Sequence, residues 1–409
     1  MANKVDVVVI GAGPAGTVAA AKLLKEGKSV LILEKTQFPR FVIGESLLPQ
    51  CMNYLDELDL LDCIEAEKFQ IKTGVCFYHE DEVCDFLFNQ QFSDGWHYTW
   101  QVKRANFDFA LANEVQKRGA TIHYQAEVTN VTTSATIQHV TFTHPELGTQ
   151  SVECKFVLDA SGYGRVLPRM FDIEVPVSTP PRGAIFAHVQ DVNRSEKAGR
   201  NIFVHSFNEN TAWIWSIPFS DGTTSVGIVG NASFIEECNK NDSALFNQLL
   251  AEFPGLNGRY ADAPKLFEPK VILNYAVSVK QLYGEGYALC GNSTEFLDPI
   301  FSSGVTFAIS SGFKSADLAV RQLNGEQIDW LNDYEKVMKK GIDVFRSYVN
   351  AWYDGTLGQI FFSKDGDKEF MQQICSVLAG YVWDETNPFV KKHKTILPTL
   401  AKVIGYRSN

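Results

Sequence analysis

The feature that most constrains this chain is the run Val5-Asp6-Val7-Val8-Val9-Ile10, followed at once by Gly11-Ala12-Gly13-Pro14-Ala15-Gly16. A β-branched apolar run of this kind suits a strand buried on both faces of a parallel sheet. The turn after it is a complete GxGxxG, and the Ala-rich stretch from Thr17 to Lys25 reads as a helix ending at Gly27. A second strand-like run, Ser29-Val30-Leu31-Ile32-Leu33, ends in Glu34. In such a unit Gly11 allows the tight turn, Gly13 lets a pyrophosphate approach the backbone, and Gly16 lets helix and strand pack closely. The helix N-terminus adds N–H groups and a positive dipole end. Glu34 stands where a carboxylate can accept hydrogen bonds from both hydroxyls of an adenosine ribose. Strand, glycines, helix, second strand and acid together specify a dinucleotide site.

At 409 residues the chain can bury a large core and hold two domains. A net charge of −11 without a basic tract argues against nucleic acid as a partner and gives no reason to bind an anionic membrane. No apolar run approaches the ~20 residues of a membrane span. The N-terminus lacks the charged region and cleavage site of a signal peptide, so a cytoplasmic location is expected. The eight cysteines are scattered with no CxxC. They read as reduced, buried thiols rather than a zinc site or a disulfide framework. The histidines show no metal-ligand spacing, and no metal is expected. The 29 Phe can be plain core or the lining of a lipophilic pocket, and core is the simpler reading.

Further stations divide the chain. Arg104 to Gly119 reads as a helix with Phe107, Leu111 and Val115 on one face. Thr121-Ile122-His123-Tyr124, Phe156 to Gly162 and Tyr287 to Asn292 read as further strands of the nucleotide fold. A helix is predicted near Val305 to Leu323. Thr73 to Trp100 is aromatic and turn-rich, and Gly183 to Val277 reads as antiparallel strands. The predicted class is therefore α/β: a discontinuous Rossmann-type domain (1–72, 101–182 and 278–328), an inserted antiparallel β-sheet substrate domain (73–100 and 183–277), and a helical C-terminal region (329–409).

Trp213-Ile214-Trp215-Ser216-Ile217-Pro218 places two indoles on one face of a strand. The strand turns at Ser220-Asp221-Gly222 and returns through Thr223 to Val229. Such a stripe alone is ordinarily hydrophobic core. Lys72, flanked by Phe69, Ile71 and Val75, has two readings: a solvated surface lysine, or a partly buried amine of tunable charge. Glu45, in Gly44-Glu45-Ser46-Leu47-Leu48-Pro49, can be a helix N-terminal acid stabilised by the dipole.

Taken together these segments resemble the group-A flavoprotein monooxygenase superfamily and, within it, the flavin-dependent halogenases of phenols and pyrroles. The resemblance spans the chain up to about Leu323. It rests on the GxGxxG with Glu34, on Arg40 through Pro49, on the WxWxIP pattern of Trp213 to Pro218, and on Phe296-Leu297-Asp298-Pro299-Ile300-Phe301-Ser302-Ser303-Gly304-Val305. It implies FAD as cofactor, held by Gly11, Gly13, Ala15, Gly16, Glu34, Lys35, Arg40, Gly44, Glu45, Arg104, Val128, Gly291, Asn292 and Gly304. It also implies a halide at the backbone N–H groups of Ser303 and Gly304, and catalytic roles for Lys72, Trp213 and Trp215. The two indoles would separate flavin from substrate, and Lys72 would carry the oxidised halogen from hypohalous acid to an electron-rich ring. Asn292 departs from the superfamily's acid, though an amide still accepts a hydrogen bond. Phe301 departs from the glutamate of tryptophan halogenases, so tryptophan is not the expected substrate.

The expected reaction uses reduced flavin, O2 and halide on a small aromatic or lipophilic substrate, free or tethered to a carrier protein. With no second GxGxxG for NAD(P)H, a separate flavin reductase is the expected electron source. Three other readings stay open: an aromatic hydroxylase, a reductase like those of geranylgeranyl chains, and a flavin-bound protein without turnover.

Overall fold

The computed structural model describes residues 4–177, 179–194, 199–363 and 367–407. The other positions of the segments assigned above (1–3, 178, 195–198, 364–366 and 408–409) lie outside the described residues. The expected α/β architecture is present, and two large sheets organise it.

The first sheet has eight strands. At its centre Lys4–Ile10 runs parallel to Val30–Leu33 on one side and to Gly148–Asp159 on the other. Thr121–His123 extends it beyond Val30–Leu33, and Tyr287–Leu289 extends it beyond Gly148–Asp159, both in parallel. The predicted strands of the nucleotide fold thus pair in one sheet although they are scattered over nearly 290 positions. Val7, Val8 and Val9 are fully buried, as a strand covered on both faces requires. The helix Pro14–Lys25 covers one face and packs against Ser303–Leu323. Helix Arg104–Lys117 buries Phe107, Leu111 and Val115 completely.

The second sheet has seven strands, ordered Lys270–Leu273, Arg182–Gln190, Thr223–Asn231, Ala212–Pro218, Ile202–Phe207, Gly74–His79 and Glu82–Leu87. The tryptophan strand, Ala212–Pro218, is its central member and forms the expected antiparallel hairpin with Thr223–Asn231. Gly74–His79 joins by parallel pairing to Ile202–Phe207. One face of this sheet carries Phe186, Val204, Trp213 and Trp215. The C-terminal helices Lys336–Tyr353, Thr356–Phe361 and Lys368–Leu378 cover it, burying Phe345, Tyr348, Trp352 and Phe361 there. The abundant Phe is therefore largely core. None of the eight cysteines is in a disulfide among the described residues, and seven are buried. No helix among the described residues is long and apolar enough to cross a membrane.

One position decides how the indoles sit. Gly227 lies opposite Trp215 in the hairpin. A Cβ there would stand 2.3 Å from Trp215 Cζ2. The Trp215 ring lies over the space that glycine leaves, which is why a glycine stands between Val226 and Ile228. Gly227→Ala should lower stability by about 1–3 kcal/mol through overpacking and alter tryptophan fluorescence. Denaturant melts with fluorescence detection check both.

Candidate active site

A cavity of about 950 Å³ opens at the ends of the parallel strands that stop at Ile10, Leu33 and Asp159, and Ile10, Leu33 and Ala160 line it. The chain order reverses there, with the second strand on one side of the first and Gly148–Asp159 on the other, and open α/β sheets bind ligands at such a point. The three glycines of the turn do different work. Gly11 has φ +98°, and a Cβ on it would stand 2.6 Å from the Ala160 carbonyl oxygen. A Cβ on Gly16 would stand 2.0 Å from the Gly11 carbonyl oxygen. Both are needed for packing. Gly13 instead lines the cavity with Ala15, and its missing Cβ leaves a gap whose nearest side-chain atom is a guanidinium nitrogen of Arg40, 3.6 Å away.

At one end of the cavity lie Glu34, Lys35 and Val128. Glu34 is 6% exposed, and its carboxylate accepts from Ala12 N at 2.9 Å and from Thr36 N at 2.9 Å. Lys35 pairs with Glu127 at 2.7 Å. Arg40, Arg104 and Gly44 also line the cavity. Asp108, fully buried beside them, takes Arg40 at 2.9 Å and Arg104 through two bonds of 2.8 and 3.0 Å. Two guanidinium groups share one carboxylate, so a net positive charge remains beside the glycine turn. Arg104 also donates to the Gly44 carbonyl at 3.2 Å. The open cradle at Gly13, the helix N-terminus behind it and this charge fit the diphosphate of FAD.

At the other end lie Phe186, Trp215, Tyr275, Phe296, Asn292 and Gly304. Gly291, with φ +57°, donates its N–H to Ser311 Oγ at 2.8 Å. Ser303 and Gly304 open the helix Ser303–Leu323, whose cap residue Ser302 sits at φ +58° and makes no side-chain cap bond. First-turn amides left without a cap suit a small anion. Ser303 is buried but does not line the cavity, while Gly304 does.

The two indoles share a face but not a position. Trp215 lines the cavity and donates to Ser225 Oγ at 3.1 Å. Trp213 packs behind it, with ring centroids 5.9 Å apart, and donates to the Tyr353 hydroxyl at 3.0 Å. That hydroxyl donates to Asp298 Oδ2 at 3.0 Å, and the Tyr275 hydroxyl donates to the same oxygen at 2.8 Å. Burial holds the Asp298 carboxyl above its ordinary range, against these hydrogen bonds. The C-terminal helical region thus reaches the tryptophan motif and the segment before Ser303 through one buried carboxylate.

Lys72 is not a surface lysine. It is 1% exposed, donates to the Leu47 carbonyl at 2.8 Å, and its amine stands 5.5 Å from the Phe88 ring centre. Burial draws its ammonium down to about 7, opposed only by charge interaction with Cys51. It does not line the cavity; the segment from Gly44 to Leu47 runs from one to the other. Glu45 lies five residues before the helix Gln50–Glu57 and so does not open it. Its side chain meets His188 at 2.7 Å.

Sequence reasoning missed Asp108, Tyr275, Tyr353 and His188. Asp108 alone had a local signal, four residues after Arg104 on one helix. The others come from segments 140 or more positions from their partners Glu45 and Trp213, or 23 from Asp298, and no spacing announces them. Gly13→Val would fill the cradle facing Arg40. It should abolish dinucleotide binding in a protein that still folds, which flavin absorbance and circular dichroism check together.

Residues 6–171 match the model of the FAD dependent oxidoreductase family. The chain is 30% identical over 333 residues to the 1H-pyrrole-2-carbonyl-[peptidyl-carrier protein] brominase of Pseudoalteromonas luteoviolacea, covering 80% of this chain and 79% of that one. It is 27% identical over 409 residues to the corresponding chlorinase of Pseudomonas fluorescens, covering 92% and 89%. Among solved structures, a flavoprotein/dehydrogenase from Cytophaga hutchinsonii superposes with a TM-score of 0.97 at 49% identity, over 99% of this chain and all of that one. The chain belongs to the flavin-dependent halogenase family and is an FAD-dependent oxidoreductase.

Proposed function

We propose that this oxidoreductase halogenates an electron-rich aromatic substrate, with Lys72 as the group that hands on the oxidised halogen. The observation that carries this reading is the state of Lys72: fully buried, without an acidic partner, and with its amine near neutrality at ordinary pH. A lysine kept so at the cost of desolvation is a functional candidate rather than a solvated charge. FAD bound in the cavity supplies the chemistry of O2 activation.

The chain's own residues then have distinct tasks. The first-turn amides at Ser303 and Gly304 hold the halide. Trp215, backed by Trp213, excludes the aromatic substrate from the flavin end of the cavity. The Lys72 amine, held by the Leu47 carbonyl, hydrogen-bonds hypohalous acid or takes its halogen and passes it to the ring. Gly11, Gly13, Ala15, Gly16, Glu34, Lys35, Arg40, Gly44, Arg104, Val128, Gly291 and Asn292 hold or shape the FAD site. Phe301 packs against Phe77 and Trp352 in the core and offers no carboxylate, which supports a substrate other than tryptophan. The two curated relatives act on a pyrrole carried by a peptidyl-carrier protein, which supports a phenol or pyrrole presented free or on such a carrier. Reduced flavin comes from a separate reductase.

A second reading is a flavin-dependent dehydrogenase, favoured by the description of the 49%-identical structure. Mass spectrometry of an aerobic mixture of enzyme, reduced flavin, bromide or chloride, and a panel of phenols and pyrrolyl thioesters separates the two. Halide-dependent product is expected; turnover without halide and O2 would establish the dehydrogenase instead.

Lys72→Met keeps the volume of the buried side chain. It should leave FAD binding and O2 consumption unchanged, lower halogenated product by about 100-fold or more, and release trappable hypohalous acid. Delivery by the neutral amine also predicts a pH dependence. Below about 7 Lys72 is an ammonium, and above about 7 a free amine. Product per flavin oxidised should therefore rise through that pH and level off above it, and Lys72→Met should lose this rise.

A further inference from the structure

The strap Gly44–Leu47 touches both halves of the site. Gly44 lines the cavity, and the Leu47 carbonyl accepts from Lys72 Nζ. One edge of the strap is tied by backbone bonds: Val102 N donates to the Glu45 carbonyl at 2.8 Å, and Leu47 N donates to the Trp100 carbonyl at 3.1 Å. Arg104 holds the Gly44 carbonyl at 3.2 Å, and the strap's own side chain makes a further tie. Glu45 Oε1 meets His188 Nε2 at 2.7 Å, with the two residues 2% and 6% exposed.

His188 belongs to the strand Arg182–Gln190, whose Ala184 and Phe186 line the cavity on the same face. It pairs across the sheet with Ser225, whose hydroxyl accepts the Trp215 N–H. The rings of Phe41, Phe219 and Phe267 surround it at centroid distances of 5.6, 5.2 and 5.0 Å. Glu45 Oε2 is buried and has no hydrogen-bond partner among the described residues. A buried ionisable pair with one oxygen unserved is poor stabilisation, since apolar residues of the same volume commonly do as well. It is well suited to holding one geometry.

We propose, resting on the role given to Lys72 above, that Glu45 and His188 are positioning residues for Lys72. Their bond pins the strap to the sheet face that carries Trp215. The Leu47 carbonyl thereby keeps the Lys72 amine in register with the cavity wall.

The test begins on the full-length protein without FAD, where no turnover is needed. Lysines are reductively methylated with formaldehyde and cyanoborohydride, and Lys72 is followed by peptide mass spectrometry. In the wild type Lys72 should react far more slowly than exposed lysines. Glu45→Ala and His188→Leu should each speed its labelling by about tenfold. Glu45→Gln should keep the protection, because Gln Oε1 accepts the same Nε2–H. Should Glu45→Ala fail to fold, His188→Leu against His188→Gln, which retains a donor, decides the matter in the same way. In the FAD-loaded enzyme, His188→Leu should keep FAD affinity within about twofold while halogenated product per flavin oxidised falls about tenfold. Unchanged labelling in Glu45→Ala and His188→Leu would overturn the proposal. So would equal damage in Glu45→Gln and Glu45→Ala, or faster labelling with undiminished product. The labelling result stands even where wild type makes no halogenated product, whereas a Lys72→Met enzyme of full activity would sink the delivery role alone.

Discussion

Two helices begin at the same cavity because glycine lets backbone meet backbone. Gly16 brings the helix Pro14–Lys25 against the turn it leaves, and a Cβ there would overlap the Gly11 carbonyl oxygen. Gly312, in the third turn of Ser303–Leu323, lies so close to Ala15 that a Cβ on it would stand 2.3 Å from the Ala15 carbonyl oxygen. That contact sets the third turn of the second helix against the start of the first, and the N-terminal residues of both line the cavity. In the proposed function one end serves the diphosphate of FAD and the other the halide. A larger residue at 312 would force the two helices apart, and one at 16 would push the first helix off its own turn and strand.

The second sheet contributes through its unlike faces. Its inner face holds the tryptophan stripe, and the C-terminal helices seal it with Phe345, Tyr348, Trp352 and Phe361. Most of that contact is plain burial, worth roughly 25 cal/mol per Å² of apolar surface. The Trp213–Tyr353–Asp298–Tyr275 chain is different, because it joins three distant segments through directional bonds to one carboxylate. The C-terminal region is therefore structurally part of the site. Lys72 sets a further demand. Its amine gives up water for one carbonyl and an aromatic neighbour, and the fold bears that cost beside the strap leading to the cavity.

The legible parts of the protein were those whose signals lie close together in the chain. Val5 to Glu34 announces a βαβ unit because strand period, turn glycines and helix follow each other within thirty residues. The hairpin of Trp213 to Val229 was legible for the same reason, as was the apolar face of Phe107, Leu111 and Val115. Lys72 was ambiguous, since Phe69, Ile71 and Val75 are compatible with either burial or exposure. Only the packing of Leu47, Cys51 and Phe88 around it resolves the matter. Glu45 read equally well as a helix cap until His188, 143 positions away, claimed its carboxylate.

By itself the sequence determined the nucleotide fold, the α/β class, the single face shared by the two indoles, and the turn glycines and terminal acid of the first βαβ unit. These follow from local periodicity and from backbone sterics that act over a few residues. The tertiary structure decided the rest: that Trp215 and not Trp213 reaches the cavity, that Asp108 serves two arginines, that Asp298 ties the C-terminal helices to the tryptophan strand, and that Lys72 is a buried amine. Each depends on which distant groups share a low-dielectric interior, and charge and hydrogen bonding there are set by neighbours in space rather than in sequence.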